Sequence, residues 1–140
     1  MASIYFAARY SRREQILEYA NQARAAGHEV TCRWLNGQNR IPASRLGDVE
    51  SYQEDYRQLA QVDWEDIRKA EICIFFTEEA GRTSGGGRHV EFGIALQSQK
   101  ECWVIGPKEN LFYCLPQAVQ MRSWEEAMAR LAKSEAVRAN

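Results

Sequence analysis

Ile72-Cys73-Ile74-Phe75-Phe76 is an unbroken apolar run rich in β-forming residues. Both faces of such a run must be covered, which is the pattern of a central strand in a parallel sheet. Upstream of it, Ser51 to Lys69 reads as one long helix with an apolar stripe through Tyr52, Tyr56, Leu59, Ile67 and Ala70. Downstream, Thr77 to Gly87 is a loop containing Gly81, Gly85, Gly86 and Gly87, and His89 to Gln99 is helical again.

The same alternation runs outward to both ends. Ile4-Tyr5-Phe6-Ala7 is a first strand. A helix follows from Ser11, where Ser11 and Glu14 have capping-box spacing, with Ile16, Ala20 and Ala23 on its apolar stripe and Gly27 as its stop. Val30 to Trp34 is expected as a second strand, and the polar stretch from Asn36 to Val49 as an irregular loop. Cys102-Trp103-Val104-Ile105 is a further buried strand and Ala118 to Met121 a short fifth. A second capping box, Ser123 and Glu126, opens the last helix, whose stripe is Trp124, Ala127 or Met128, and Leu131. Strand–helix alternation with short connections specifies an α/β fold with helices on both faces of a parallel sheet. The expectation is one domain over residues 1–140, a Rossmann-like three-layer sandwich with five strands in the order 2-1-3-4-5. Such sheets bind ligands at the carboxyl ends of the strands where the order reverses, here between strands 1 and 3.

Composition narrows the function classes. The chain has 140 residues, is 45% hydrophobic and 26% charged, and carries a net charge of −1. That balance fits a globular protein and argues against polymeric nucleic acid as the partner. The apolar runs are too short to span a bilayer and none reads as a signal peptide, so no membrane partner is expected. Cys32, Cys73, Cys102 and Cys114 have neither zinc nor redox-pair spacing. They read as reduced thiols of a cytoplasmic protein, with a catalytic thiol left open but lacking a neighbouring charge to activate it.

At the expected crevice, Ser84-Gly85-Gly86-Gly87-Arg88-His89-Val90-Glu91-Phe92-Gly93 links strand to helix. Gly85, Gly86 and Gly87 allow close backbone approach, and a helix start offers free N–H groups to an anion. A flexible turn is the plainer reading. The loop has no Walker lysine and is not G-x-G-x-x-G, so ATP and dinucleotides are disfavoured. Glu91 lies early in this helix, where a carboxylate simply offsets the dipole. Yet its neighbours are apolar, Gly93 suggests close packing, and a carboxylate there is costly without partners. Asp63 falls near the centre of the Ser51–Lys69 stripe, as a buried hydrogen bonder or as part of a site, whereas Asp66 is placed on the margin as ordinary surface. Tyr5 is core, or a phenol aimed at a carboxylate such as Glu91. Arg9, Ser11, Arg12 and Arg13 follow strand 1, and basic residues in a first helical turn oppose the dipole, which favours an anionic ligand beside them and Arg88. His28 and His89 read as structural. Trp34 reads as core, with stacking on a base as the alternative.

A carboxylate beside a tyrosine, a second acid, a glycine cradle and arginines suit cleavage of an N-glycosidic bond without a metal or cofactor. The motifs also resemble a family. Ile4-Tyr5-Phe6-Ala7-Ala8, Asp63-Trp64-Glu65-Asp66-Ile67, the glycine–Glu91–Gly93 element and Val104-Ile105-Gly106-Pro107 are similar to those of the nucleoside 2-deoxyribosyltransferase superfamily, which includes nucleoside 5′-monophosphate N-glycosidases. The resemblance implies a flavodoxin-like sheet and Glu91 as nucleophile at the anomeric carbon. It implies that Tyr5 holds that carboxylate and that Asp63 assists the base or the sugar hydroxyls. It further implies a small-molecule nucleoside or nucleotide substrate and a homodimer or larger homo-oligomer. Ala8, where the family usually has glycine, is a departure, and the Asn36–Val49 loop matches no family piece. Arg9, Ser11, Arg12, Gly85, Gly86, Gly87 and Arg88 are the candidate phosphate-binding residues. A catalytically silent nucleotide-sensing module and a purely structural interaction protein are the competing readings.

Overall fold

The computed structural model describes residues 1–37, 50–79 and 86–139. Its elements are β1 (Ser3–Ala7), a 3-10 turn (Tyr10–Arg12), α1 (Arg13–Ala25), β2 (Glu29–Val30), a 3-10 turn (Arg33–Asn36), α2 (Gln53–Lys69) and β3 (Ile72–Phe76). They continue through α3 (Gly87–Gln97), β4 (Glu101–Ile105), a 3-10 turn (Leu111–Cys114), β5 (Ala118–Met121) and α4 (Trp124–Ala139). Among the described residues the sheet has five strands in the order β2-β1-β3-β4-β5, all parallel. The expected α/β fold and strand order are therefore observed.

Strand alternation sorts the core into two layers. Phe6 and Phe76 face one side, where Phe6 meets Trp124 of α4 edge-on at 5.6 Å and Tyr19 of α1 stacks on Trp124 at 4.9 Å. Tyr5 and Phe75 face the other: Tyr5 bonds Glu91 of α3, and Phe75 packs edge-on against Phe92 of α3 at 5.1 Å. The α2 and α3 helices thus cover the face that carries the candidate site. Among the described residues no helix is long and apolar enough to cross a membrane.

Several local expectations are corrected. The second strand is Glu29–Val30, not Val30 to Trp34. Three hydrogen bonds draw the following residues off the sheet edge: Thr31 Oγ1 donates to the Asp66 carbonyl, the Arg33 N–H to Asp66 Oδ2 at 2.8 Å, and Trp34 Nε1 to the Phe6 carbonyl at 2.8 Å. The Ser11–Glu14 capping box does not form, because a 3-10 turn intervenes and α1 begins at Arg13 with no side-chain cap. At α4, Ser123 Oγ does accept the Glu126 N–H at 3.2 Å, while the Glu126 carboxylate takes the Arg122 N–H. Gly93 is not a close-packing position: it is exposed, and a Cβ built on it would meet nothing within 4 Å. Most of the Asn36–Val49 loop (residues 38–49), along with Gly81, Ser84 and Gly85, lies outside the described residues.

Candidate active site

Tyr5 projects from the middle of β1 into the layer under α2 and α3 and is fully buried. A buried phenol needs a partner, and Tyr5 Oη donates to Glu91 Oε1 at 3.1 Å. Glu91 sits in the second turn of α3 and is half-buried. It is neither walled off nor turned fully to water. Burial first, then the negative charge of Asp63, pushes the Glu91 carboxyl up to about 8; the Tyr5 hydrogen bond and Arg88 pull the other way. Burial, with Glu91 and Asp63 close by, raises the Tyr5 phenol well above its ordinary value, so it remains a neutral donor.

Asp63 comes from α2 and is also half-buried. Its carboxyl is pushed up to about 6 by burial and by Asp66, against the lowering effect of Arg33. Asp66, on the same helix, corrects the sequence expectation. It is not marginal surface but 1% exposed, and it accepts both the Arg33 N–H and Arg33 Nε at 2.8 and 2.9 Å. Asp66 is thereby committed to holding the turn after β2. Asp63 has no such partner among the described residues and is left beside Tyr5 and Glu91.

Such a pair differs from two exposed acids. A carboxyl near 8 is mainly protonated at neutral pH, and burial makes the anion it forms costly. An electron-poor carbon brought next to that anion adds positive charge as the transition state forms, and a site of that kind favours the transition state over the ground state. A second carboxyl near 6 is able to give or take a proton close to neutrality.

The candidate phosphate ligands are dispersed around this centre. Gly86, with φ +87, precedes α3 and Gly87 opens it; both have open space where a Cβ would lie. Arg9 and Ser11 stand in the short segment after β1, half-buried and exposed respectively. Arg12 Nη1 reaches Glu78 Oε1 at 3.3 Å, its Nε bonds Gln15, and the guanidinium lies over the Phe76 ring at 5.4 Å. Arg13 lies against the backbone of Gly37, and its buried Nε has no hydrogen-bond partner among the described residues. Arg88 is directed elsewhere: it is 5% exposed and bonds Tyr113 and Glu109. Gly85 is among the residues not described.

The two histidines stay structural. His28 Nδ1 accepts the Ala2 N–H at 3.1 Å, and His89 meets Tyr113 Oη and Glu109. Burial drives the thiols of Cys32 and Cys102 up to about 12 and that of Cys73 higher still, which leaves them inert. Sequence reasoning passed over Glu78, Glu109, Tyr113 and the Asp66–Arg33 pair. The available signal was position: Glu78 and Glu109 each follow the carboxyl end of a strand, the same edge that was searched for ligands.

Comparison with known proteins bears on this geometry. The folded chain superposes on solved nucleoside-processing enzymes. A CMP N-glycosidase of Clostridium botulinum, BcmB, is 15% identical with a TM-score of 0.54, covering 93% of this chain and 98% of that one. A 2-deoxyribosyltransferase from the psychrotolerant bacterium Bacillus psychrosaccharolyticus is 19% identical with a TM-score of 0.55, covering 90% of each chain. Both names match the superfamily whose motifs this sequence resembles, and at such identity the likeness is one of fold. No family model and no curated protein matches in sequence.

Proposed function

We propose that this protein is an enzyme that cleaves the N-glycosidic bond of (deoxy)nucleosides or their 5′-monophosphates, with Glu91 as nucleophile. The observation that carries the reading is the part-buried hydrogen bond from Tyr5 Oη to Glu91 Oε1, with Asp63 alongside. The ionised Glu91 carboxylate attacks C1′ as the C1′–N bond breaks. The electron pair of that bond leaves with the base, which takes a proton from Asp63 or from solvent. A glycosyl ester on Glu91 remains. Water, or the nitrogen of a second base, then attacks C1′ and returns the carboxylate. Water as acceptor makes the protein an N-hydrolase, and a base makes it a deoxyribosyltransferase. Tyr5 keeps the attacking oxygen in place throughout, and no cofactor enters either half-reaction.

A 5′-phosphate would be received by Arg9, Ser11, Gly85, Gly86, Gly87 and, in exchange for its contact with the half-buried Glu78, Arg12. Arg88 is a poor candidate for that role, since its guanidinium is occupied by Glu109 and Tyr113. The same reading includes a cytoplasmic setting and a homodimer or larger homo-oligomer.

A panel of nucleosides and nucleoside monophosphates, read by chromatography for released base, tests the proposal. Released base from the wild type and none from Glu91→Gln supports it. Sugar transfer to an added free base separates transferase from hydrolase. Tight nucleotide binding without turnover in either protein would overturn it in favour of a sensing module.

A further inference from the structure

The glycine loop leads into α3 through Arg88, and Arg88 is built into the protein rather than offered to a ligand. Its Nη2 donates to Glu109 Oε1 at 2.7 Å and its Nη1 to Tyr113 Oη at 3.1 Å. Both partners follow β4, so this contact ties the start of α3 to the neighbouring strand's loop. The partners are themselves fixed. Tyr113 stacks on Phe92 with ring centres 4.3 Å apart and planes at 7°. Tyr113 Oη also meets His89 Nδ1 at 3.0 Å, and the second Glu109 oxygen faces His89 Nε2 at 3.3 Å. Glu109 further accepts the Glu78 N–H at the end of β3. Arg88 Nε is buried with no hydrogen-bond partner among the described residues. A buried ion pair of this kind costs desolvation that its own attraction only partly offsets, so it is weak evidence for a stabilising role alone.

Helical register supplies a second role. Residues three apart on a helix lie on neighbouring sides of successive turns, which places Arg88 one turn before Glu91. We infer that Arg88, locked by Glu109 and Tyr113, is a positioning residue that holds a fixed positive charge one turn from Glu91 and sets how readily Glu91 becomes the reactive anion. The inference rests on the proposed role of Glu91 and adds to it the group that tunes it.

The other groups around Glu91 do not supply this charge. Tyr5 of β1 donates a neutral hydrogen bond, Asp63 of α2 is an acid, Cys73 of β3 is an un-ionised thiol, and Tyr113 after β4 is a phenol. Among the groups that act on Glu91, Arg88 is the cation, and its effect opposes burial and Asp63. Arg12 is engaged by Glu78 and Arg33 by Glu65 and Asp66. Without Arg88 the carboxyl would face only burial and a like charge, against a single hydroxyl.

The test follows the Glu91 carboxyl by NMR in protein carrying 13C-labelled glutamate side chains, with Glu91→Gln assigning the signal. It needs no turnover, so it stands or falls separately from the glycosidic reading. Arg88→Met is expected to move the Glu91 midpoint up by about 0.3 pH unit, a roughly twofold smaller ionised fraction at neutral pH, since Arg88 is the smallest of the influences on this carboxyl. Arg88→Lys should restore most of that shift. Glu109→Gln keeps the size of the side chain and strips the counter-charge from Arg88, so the midpoint should move down. In an active enzyme the acid limb of kcat moves with the NMR midpoint, while KM changes less than about twofold. A merely structural Arg88 would lower thermal stability and leave the midpoint in place. An unmoved midpoint in folded Arg88→Met overturns the inference. Should that variant fail to fold, an unmoved or raised midpoint in Glu109→Gln overturns it equally.

Discussion

Tyr5 and Glu91, 86 residues apart in the chain, meet through a 3.1 Å hydrogen bond between a strand and the helix two crossovers later. The contact joins the two elements that the switch in strand order brings to one edge, and it aims a buried donor at a carboxyl that burial pushes towards its protonated form, a push the hydrogen bond partly offsets.

Removing that hydroxyl should slow turnover with the fold intact. Tyr5→Phe keeps the ring and deletes a hydrogen bond to an ionising group, worth about 1.5–3 kcal/mol, so kcat/KM should fall by about tenfold to a hundredfold. The hydroxyl lowers the Glu91 value. Its loss should therefore carry the acid limb of the pH profile above about 8, as read by steady-state kinetics across pH 6 to 10.

Glu91 should cost the fold stability at alkaline pH. Its folded value of about 8 lies above the ordinary 4.5, so between those limits the native state holds a proton that the unfolded state has released. Stability then falls as pH rises through that window, fully retained below about 4.5 and lost by about 8. Glu91→Gln has no proton to lose and still accepts the Tyr5 hydroxyl. Its melting temperature should exceed the wild type's by a margin that grows from pH 5 to pH 8.5 and then levels off. The gain is about 2 kcal/mol after allowing for solvent at this half-buried side chain. Calorimetry at several pH values measures it.

Asp66 holds the turn after β2, and its loss should be felt in stability before chemistry. Asp66→Ala strands the Arg33 N–H and breaks the ion pair to Arg33 Nε, a change of about 3 kcal/mol in urea denaturation. Asp66→Asn should be milder. It should also bring the Asp63 carboxyl down from about 6, since the Asp66 charge is one of the causes that raise it; NMR titration of Asp63 reports this.

Gly106 is the one glycine in the described segments whose side-chain position is blocked by backbone as well as by geometry. Its φ is +121, and a Cβ there would lie 2.5 Å from Thr77 Oγ1 and 3.0 Å from the Thr77 carbonyl oxygen. The Thr77 N–H bonds the Ile105 carbonyl at 3.1 Å, so the ends of β3 and β4 are joined at this point. Gly106→Ala should cost about 2 kcal/mol or more, seen as a lower denaturant midpoint at unchanged slope.

Periodicity is a local property, and it was enough for the architecture. The run Ile72–Phe76 announced a strand covered on both faces, the helices between runs announced crossovers, and chain connectivity then left few orders for the sheet. The pairing of Tyr5 with Glu91 was within reach for the same reason: a parallel sheet brings the ends of β1 and β3 together whatever the side chains are. Finer choices needed the third dimension. Asp63 and Asp66 are about 60° apart around a helix, too close for a stripe to separate, and only the packing of Arg33 against α2 decided that Asp66 is buried and Asp63 is left beside Glu91. Arg88 reads in sequence as one more cation beside a glycine loop, and only the approach of Glu109 and Tyr113 from the loop after β4 turned it inward. In both cases the deciding partner lies more than twenty residues away, where the energy of burying a charge depends on what faces it and not on its neighbours in the chain.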